Sequence, residues 1–304
     1  MRYPFIHDHA ASSSHAWPVR AMCQALRVRP SGYYAWRRRH RGGGGGGTPK
    51  PGPRQIRRLQ LVEAIRAVFD RSGGTYGSPR VHRQLRAQGV RCSHKTVEKL
   101  MKEQRIHSKR ARRFRPPRTT DSSHANPVAP NTLGRRFRQP RPAADRLWAA
   151  DITYVPTREG WLYLAAVMDL CSRRIVGWTT ADHLRAELPL AALQEALKRR
   201  RPRPGVLLHH SDRGAQYACA DYRRTLDRHG IARSMSRAGD CYDNAAMESF
   251  FATVKTELTH HCDFATRKEA AASIYPFIEL FYNRQRIHSA LGYKSPAEYE
   301  ATLP

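Results

Sequence analysis

Three acidic residues in the second half of the chain have the types and placement that phosphodiester chemistry needs. Asp151 stands in the run 148–154, Asp212 follows the pair 209–210, and Glu248 falls 36 positions after Asp212. Three carboxylates so placed could hold two Mg²⁺ ions over a phosphodiester, because hard cations prefer oxygen ligands. A single Asp-to-Glu spacing is common by chance, so the prediction depends on the elements that carry the acids.

The second half of the chain predicts an α/β domain with a mixed sheet. Three β-branched and aromatic runs separated by short turns predict antiparallel strands, and helices then alternate with two more short strands. The order β-β-β-α-β-α-β-α predicts a ribonuclease-H-like fold with flanking helices, preceded by all-α segments. The predicted strands span 148–155, 161–168, 174–180, 206–209 and 231–236, and the predicted helices span 185–200, 219–229, 244–259 and 267–285.

Two of the acids would lie at strand ends of this sheet, where α/β folds favour ligand sites. Asp151 would be on the first strand and Asp212 directly after the fourth. Paired strands are ~4.8 Å apart, so the two carboxylates could share one metal pair if these strands are neighbours. Taken singly, Asp151 could instead be an edge-strand charge and Asp212 a turn residue before Gly214.

The third acid is predicted on a helix. Glu248 and Lys255 are seven residues apart and therefore align along the helix axis. One could face the metals while the other contacts a nucleic-acid backbone. Asp243 or Asn244 would cap the start of the helix and set the height of Glu248 above the sheet. Taken singly, Glu248 could be a solvated helix acid.

Charge is distributed unevenly along the chain. The formal charge is +29, and residues 1–145 carry 32 basic and 7 acidic side chains while residues 146–304 carry 22 and 18. A single-sign field of this kind favours nucleic acid or an anionic membrane surface as partner. No apolar run approaches the ~18 to 20 residues that span a bilayer, and no signal peptide is visible, so we expect a soluble cytoplasmic protein with no membrane partner.

Composition changes divide the chain into segments. Six consecutive glycines followed by a proline-rich stretch predict a linker that is first flexible and then stiffer. The stretch after residue 105 is rich in arginine and interrupted by proline, which predicts an extended basic connector. The predicted segments are a small helical unit at 1–41, a linker at 42–53, a helix-turn-helix domain at 54–104, the connector at 105–145 and the α/β domain at 146–304.

The segment 54–104 predicts three helices, near 55–70, 78–88 and 94–104, with Ser93 as N-cap of the third. In a helix-turn-helix the N-terminal part of the last helix enters the major groove, although a solvated basic face of a helical bundle is the alternative. The connector could track phosphates or be a disordered spacer. The candidate DNA-contacting residues are Arg80, His94, Lys95, Thr96, Lys99, Arg110, Arg112, Arg113, Lys255, Arg284 and Arg286.

Histidine and cysteine give weaker signals. The six cysteines stand singly without a CxxC pair, which indicates neither a disulfide framework nor a thiolate zinc site. His209 and His210 could be metal ligands, but packing or hydrogen bonding is favoured because oxygen donors already suit Mg²⁺. His260 and His261 beside Cys262 lack a partner pair with zinc spacing.

Longer sequence runs between Ala21 and Tyr299 carry a family resemblance. They are Ser31–Trp36 (SGYYAW), Gly74–Arg80 (GTYGSPR), Asp151–Tyr154 (DITY), His209–Gly214 (HHSDRG), the block 234–251 and the stretch 282–293. Through these runs the chain resembles the transposases of bacterial insertion sequences of the insertion-sequence-three group, the second-frame product often called OrfB.

The resemblance implies an enzyme like a retroviral integrase core, which cuts DNA at insertion-sequence ends and joins the 3′-hydroxyl to another phosphodiester. The DDE triad of that family maps onto Asp151, Asp212 and Glu248, and its basic residue seven positions later maps onto Lys255. The implied cofactor is two Mg²⁺ ions at this triad, with Mn²⁺ as a substitute.

The resemblance also implies partners. Double-stranded DNA would be bound as element ends and target by a homo-oligomer, associated with the nucleoid, together with the upstream-frame product OrfA as fusion or partner. A coiled coil of the kind that OrfA carries is not visible in residues 1–20. The glycine run is unusual for the family. Two alternatives stay open: a DNA-binding protein without catalysis, and a structure-selective nuclease on the same fold.

Overall fold

A computed structural model describes residues 2–10, 17–40, 51–109, 124–137, 143–237 and 241–303. The chain divides into two compact units, Met1–Glu63 and Ala64–Pro304. The division falls inside a helix, Pro53–Arg71, whereas the sequence predicts a boundary at the Gly/Pro linker. The predicted segment limits therefore stay predictions.

The first unit contains three helices among its described residues that precede Pro53. They are α1 (Arg2–Ala10), α2 (Val19–Ala25) and α3 (Pro30–His40). A small core of Ile6, Met22, Cys23 and Tyr33 holds them together. The sequence predicts α2 and α3 but not α1. Ile6 is the buried residue of α1, and a single buried apolar residue does not produce the repeating pattern by which a helix is predicted.

The helix-turn-helix segment agrees closely with its prediction. Its helices are α4 (Pro53–Arg71), α5 (Ser78–Ala87) and α6 (His94–Glu103). Ser93 caps α6 as predicted, since its Oγ accepts a hydrogen bond from the Thr96 amide at 3.1 Å. α5 buries Val81 and Leu85, and α6 buries the apolar stripe of Val97, Leu100 and Met101.

The described part of the second unit contains a five-stranded mixed sheet of order β3-β2-β1-β4-β5. β1 pairs antiparallel with β2 and β2 with β3, whereas β1–β4 and β4–β5 are parallel. This arrangement confirms the ribonuclease-H-like prediction. The strands are β1 (Leu147–Thr157), β2 (Gly160–Asp169), β3 (Ile175–Ala181), β4 (Leu208–Ser211) and β5 (Ala232–Met235).

Helices cover both faces of the sheet, and each face has its own apolar core. On one face α7 approaches so closely that a Cβ on Gly177 would lie 2.6 Å from the Ala196 nitrogen. This face carries α7 (Glu187–Arg200), α8 (Ala215–Ala218) and α9 (Ala220–Arg228). The other face carries α10 (Ala245–Glu257) and α11 (Arg267–Pro276), and α12 (Pro296–Glu300) follows near the C-terminus.

Two predicted elements differ from the structure. The fourth strand starts at Leu208, two residues later than predicted, because Val206 belongs to an exposed turn. The predicted helix 267–285 ends as a regular α-helix at Pro276, which lacks a backbone N–H, and continues as a π-helix over Phe277–Tyr282. None of the described helices is both long enough and apolar enough to cross a membrane.

Candidate active site

Asp151 lies on β1, and Asp212 directly follows β4, the neighbouring strand of the sheet. The parallel register of β1 and β4 pairs Ala149 with His210, and Asp151 and Asp212 each come two residues after that pair. Paired strands are ~4.8 Å apart. Alternate residues of a strand point to the same face of the sheet, so Asp151 shares a face with Ala149. Ala149 packs in the core on the α10 side of the sheet. Asp151 therefore lies on the α10 side of the sheet, where the charge of Asp212 acts on it.

Backbone amides hold the two aspartates. The Ile152 amide donates to Asp151 Oδ1 at 2.8 Å, and the Gly214 amide donates to Asp212 Oδ1 at 2.9 Å. A Cβ on Gly214 would lie 3.1 Å from that same oxygen, so the turn after β4 closes tightly around Asp212. These two amides fix the orientation of one oxygen of each carboxylate.

Glu248 lies in the first turn of α10, and its side chain is exposed. The start of this helix is tied to the sheet through Asn244, whose Nδ2 donates to the Ala150 carbonyl at 3.2 Å. Asn244 is the N-cap residue of α10, one of the two predicted, but its side chain makes no capping hydrogen bond. Asn244 instead anchors α10 to the residue before Asp151.

The electrostatics of Asp151 couple the three acids. Its pKa is raised well above the usual carboxyl value, first by burial and then by the charge of Asp212, with a smaller contribution from Glu248. The Ile152 amide and Lys255 act in the opposite direction. Carboxylates that repel one another in this way are a good environment for a divalent cation.

The donor set fits a hard cation, although the three acids do not yet converge. Among the described residues, no group of three His, Cys, Asp or Glu side chains has an arrangement that could already hold a metal ion. The Oδ1 of Asn244 is buried beside Ala150 and has no hydrogen-bond partner in the described part of the chain. A spare oxygen acceptor of this kind suits a cation or its water ligands.

Lys255 lies on the side of α10 that faces the aspartates. Its ammonium stands 4.6 Å from the centre of the Tyr154 ring, on the same strand as Asp151. Burial lowers the pKa of Lys255, and Asp151 partly offsets that effect. The lysine is thus a cation at the rim of the carboxylate site.

Comparisons with known proteins agree with this arrangement. Two integrase core domain models match residues 141–241 and 229–296, and an HTH-like domain model matches residues 57–114. The chain is 41% identical to Transposase InsF for insertion sequence IS3A of Escherichia coli (strain K12) over 300 residues, which are 99% of this chain and 98% of that protein. The chain belongs to the insertion-sequence-three family of transposases.

A second relative and a solved structure also align with this chain. The insertion element IS600 uncharacterized 31 kDa protein of Shigella sonnei is 42% identical over 278 residues, which cover 91% of this chain and 97% of that protein. The HTLV-2 integrase catalytic core domain in complex with magnesium aligns at a TM-score of 0.42 and 13% identity, over 54% of this chain and 99% of that one. As a family member with an integrase core domain, the chain is a DDE-type polynucleotidyl transferase.

The transposase has a buried tyrosine at this site that sequence reasoning missed. The Tyr217 hydroxyl is buried and has no hydrogen-bond partner within the described residues. Burial, Tyr222 and the charges of Asp151 and Asp212 raise its pKa well above the usual tyrosine value. Its position five residues after Asp212, in the run that follows the strand, is the signal that could have identified it.

Asp243 organises the entry to α10. Its buried carboxylate accepts hydrogen bonds from Arg135 Nε, Arg237 Nε and Asn131 Nδ2 at 2.9, 3.0 and 2.7 Å. These partners, Arg237 foremost, hold the pKa of Asp243 well below its usual range. Residues 131 and 135 belong to the predicted connector, so this part of the connector is packed against the integrase core and is not a free spacer.

The predicted groove-reading residues of α6 are exposed. His94, Lys95, Thr96 and Lys99 all lie on the solvent side of the helix, and His94 Nε2 is 3.2 Å from Ser78 Oγ. The predicted connector contacts Arg110, Arg112 and Arg113 lie outside the described residues.

Two other predicted DNA contacts, Arg80 and Arg286, meet at a carboxylate. Arg286 makes a two-pronged ion pair with Glu257 of α10 at 2.6 and 2.8 Å, and its side chain is 6% exposed. Arg80 stands 3.5 Å from the same carboxylate. We therefore assign Arg286 a buried ion pair in place of open contact with DNA, whereas Arg284 is exposed.

Tyr76 completes this junction between the helix-turn-helix segment and the integrase core. Its hydroxyl donates to the Gln285 carbonyl at 3.2 Å and accepts from the Ile287 amide at 2.9 Å. The family runs at 74–80 and 282–293 thus meet in space. Sequence alone does not pair them, because they are about 200 residues apart.

The histidines before Asp212 are core residues. His209 is 3.0 Å from the Tyr222 hydroxyl, and His210 lies between the hydroxyls of Ser234 and Ser236 at 2.9 and 3.1 Å. Burial lowers the pKa of His209 to about 3 and that of His210 to about 4, so both are neutral near pH 7. This is the packed, hydrogen-bonded arrangement that the sequence favours.

Proposed function

We propose that this transposase cuts DNA at the ends of its insertion sequence and joins the freed 3′-hydroxyl to a target phosphodiester, with Asp151, Asp212 and Glu248 as its DDE triad. One observation supports the proposal above all: the charges of Asp212 and Glu248 both raise the pKa of Asp151, which lies on the strand paired with β4.

Two Mg²⁺ ions, for which Mn²⁺ could substitute, would be held by the three carboxylates and would supply activation of the attacking oxygen and stabilisation of the leaving one. The mutual repulsion of Asp151 and Asp212 supports this, since cations relieve it. The Gly214 and Ile152 amides orient the two aspartates before any ligand arrives. Lys255 is placed to neutralise a DNA phosphate beside them.

DNA recognition belongs to other parts of the molecule in this proposal. The exposed N-terminal face of α6, with His94, Lys95, Thr96 and Lys99, would enter the major groove of an element end. Arg80, Arg284 and the arginines of the connector would contact the backbone. A homo-oligomer on DNA and an upstream-frame OrfA partner complete the proposed assembly.

Strand transfer tests the triad. Full-length protein is incubated with Mg²⁺ and labelled DNA that carries the element ends, and both nicking and joining are measured. We expect Glu248→Gln to abolish both reactions while DNA binding survives, because the variant keeps the fold but loses a metal ligand. The matched control is Glu187→Gln, since Glu187 is also an exposed glutamate in the first turn of a helix.

Each outcome has a clear meaning. Undiminished joining by the Glu248→Gln variant would overturn the triad assignment. Binding without cleavage in Mg²⁺ and in Mn²⁺ by the unmodified protein would favour the DNA-binding protein without catalysis. Cleavage of branched DNA without any joining would favour the structure-selective nuclease.

A further inference from the structure

A cationic cavity of about 240 Å³ lies on the side of α10 away from the aspartates. Its walls come from α5, α10, the turn after β2 and the stretch that follows the π-helix. None of its described lining residues is acidic. The cationic and polar side chains around it are Arg80, Arg173, Arg286, His288, Ser249, Thr253, Tyr282 and Ser289.

Positive charge is concentrated at this cavity. Arg80 and Arg286 both pair with one carboxylate, that of Glu257. Burial and the charge of Arg286 lower the pKa of Arg80. Burial and then Arg286, Arg80 and Arg173 lower the pKa of His288 to about 3, which leaves the imidazole neutral near pH 7. Glu257 outweighs burial and raises the pKa of Arg286, so an anion in the cavity would chiefly relieve Arg80.

The hydroxyl groups of the cavity suit a phosphate. Ser249 and Thr253 are four residues apart, so they lie one above the other on the same face of α10. Thr253 Oγ1 donates its one hydrogen to the Ser249 carbonyl at 2.9 Å, so the hydroxyl donors considered for a phosphate are those of Ser249 and Ser289. Ser249 and Ser289 are exposed, so solvent reaches the cavity. Arginine with serine or threonine is the usual donor set for DNA phosphates.

The cavity is also at a suitable distance from the proposed catalytic centre. Ser249 follows Glu248 directly, and Thr253 lies five residues beyond Glu248, which is ~7.5 Å along the helix. Phosphates of one DNA strand recur every ~3.4 Å along the duplex axis. Glu248 and the cavity lie on opposite sides of α10, which is ~10–12 Å across with its side chains, so a strand with one phosphate at Glu248 has to pass around the helix to place another at the cavity.

We propose that this cavity binds a backbone phosphate of the DNA strand whose cleavage site lies at Glu248. The inference rests on the proposed function, because it assumes that DNA reaches the triad. Such a contact would tie the position of the DNA to α5 and α10 together and so set the register between the helix-turn-helix segment and the carboxylates.

Neutral phosphates in the DNA test this contact. Element-end duplexes carry a single methylphosphonate, which removes one phosphate charge, at successive positions near the cleavage site, and binding to the full-length protein is measured. We expect one position at which the substitution weakens binding about tenfold, as for a charge-assisted hydrogen bond. In the Arg173→Gln variant, the methylphosphonate at that position should no longer weaken binding, because the arginine that contacts the phosphate is already absent.

Arg228→Gln is the matched control, since Arg228 is an exposed arginine of α9 that does not line the cavity. This variant should keep the full tenfold effect at the sensitive position. Inorganic phosphate added as competitor should weaken binding to intact DNA more in the unmodified protein than in the Arg173→Gln variant. A free-anion site unrelated to DNA would instead bind phosphate with no methylphosphonate effect, and that result would overturn the proposal.

A second pair of variants tests the cavity independently, in case the Arg173→Gln variant does not fold. Thr253→Glu places a negative charge in the cavity, and Thr256→Glu places the same charge on α10 outside it. We expect the first to weaken DNA binding about tenfold more than the second. Equal binding by both, in protein that still joins DNA, would overturn the cavity proposal while the transposase function stands. Absence of all cleavage and joining by the unmodified protein would count against both.

Discussion

Asp151 carries a charge that its own surroundings oppose. Burial and the neighbouring acids raise its pKa, and Lys255 only partly offsets them. A carboxyl with a higher pKa in the folded state binds more protons there, so its contribution to stability is complete at low pH and is lost as pH rises through the raised pKa. Without cations, Asp151 therefore contributes less to the stability of the folded protein at neutral pH than at acidic pH. The same ionised carboxylate is the form that can bind a metal ion.

We expect Asp151→Asn to raise the unfolding free energy of the metal-free protein near neutral pH, because the neutral amide carries no charge for burial and Asp212 to oppose. The gain should disappear near pH 4, because the native carboxyl is then protonated. Excess Mg²⁺ should stabilise the unmodified protein and not the variant. Urea unfolding at the two pH values measures this, with the exposed Asp182→Asn as control. A variant less stable at both pH values would contradict it.

The helix α10 joins two functions on different faces. Glu248 and Lys255 face the aspartates, while Glu257 is buried at the junction with Arg80 and Arg286. Asn244 ties the start of the helix to β1. The height of Glu248 above the sheet thus depends on contacts at both ends of one helix.

Breaking the junction should therefore affect both stability and catalysis. We expect Glu257→Gln to cost about 3 to 5 kcal/mol of unfolding free energy, because it leaves the buried Arg286 without its anion. Strand transfer by the folded fraction should also fall, since α10 loses an anchor. Asp263→Asn removes an ion pair with Arg158 whose two side chains are 68% and 73% exposed, and it should change neither quantity. Equal stability of the two variants would refute a structural role for the junction.

On the scale of the whole molecule, charge separates two tasks. The first 145 residues carry most of the excess of 29 positive charges, and α6 presents its cationic face to solvent. The integrase core is close to charge balance, and many of its arginines are used in ion pairs within the fold. DNA affinity should therefore come chiefly from the first half of the chain.

The salt dependence of DNA binding tests this division of charge. The double variant Lys95→Gln and Lys99→Gln should lower the slope of log K against log salt by about 2, because two phosphate contacts are lost. The double variant Lys198→Gln and Lys268→Gln removes two exposed lysines of the integrase core and should leave the slope nearly unchanged. Titrations at several salt concentrations measure both. Equal slopes in the two variants would contradict the division.

Sequence by itself determined the order of the elements, the helix-turn-helix segment, the uneven charge, and the positions of Asp151 on a strand and Asp212 directly after one. These follow from local patterns, namely the period of apolar residues, capping residues such as Ser93 and family runs that are contiguous in the chain. The Ser93 cap was correct because it involves residues only three positions apart.

Only the tertiary structure decided the roles of Asp243, Asn244, Glu257 and Arg286. Arg80 and Glu257 are 177 positions apart and become partners only when α5 meets α10. A sequence pattern cannot tell a buried arginine with a carboxylate partner from an exposed one that is available to DNA, since both have the same side chain. Burial and partner choice are properties of the packed molecule, and they assign Arg286 to the junction and leave Lys95 at the surface.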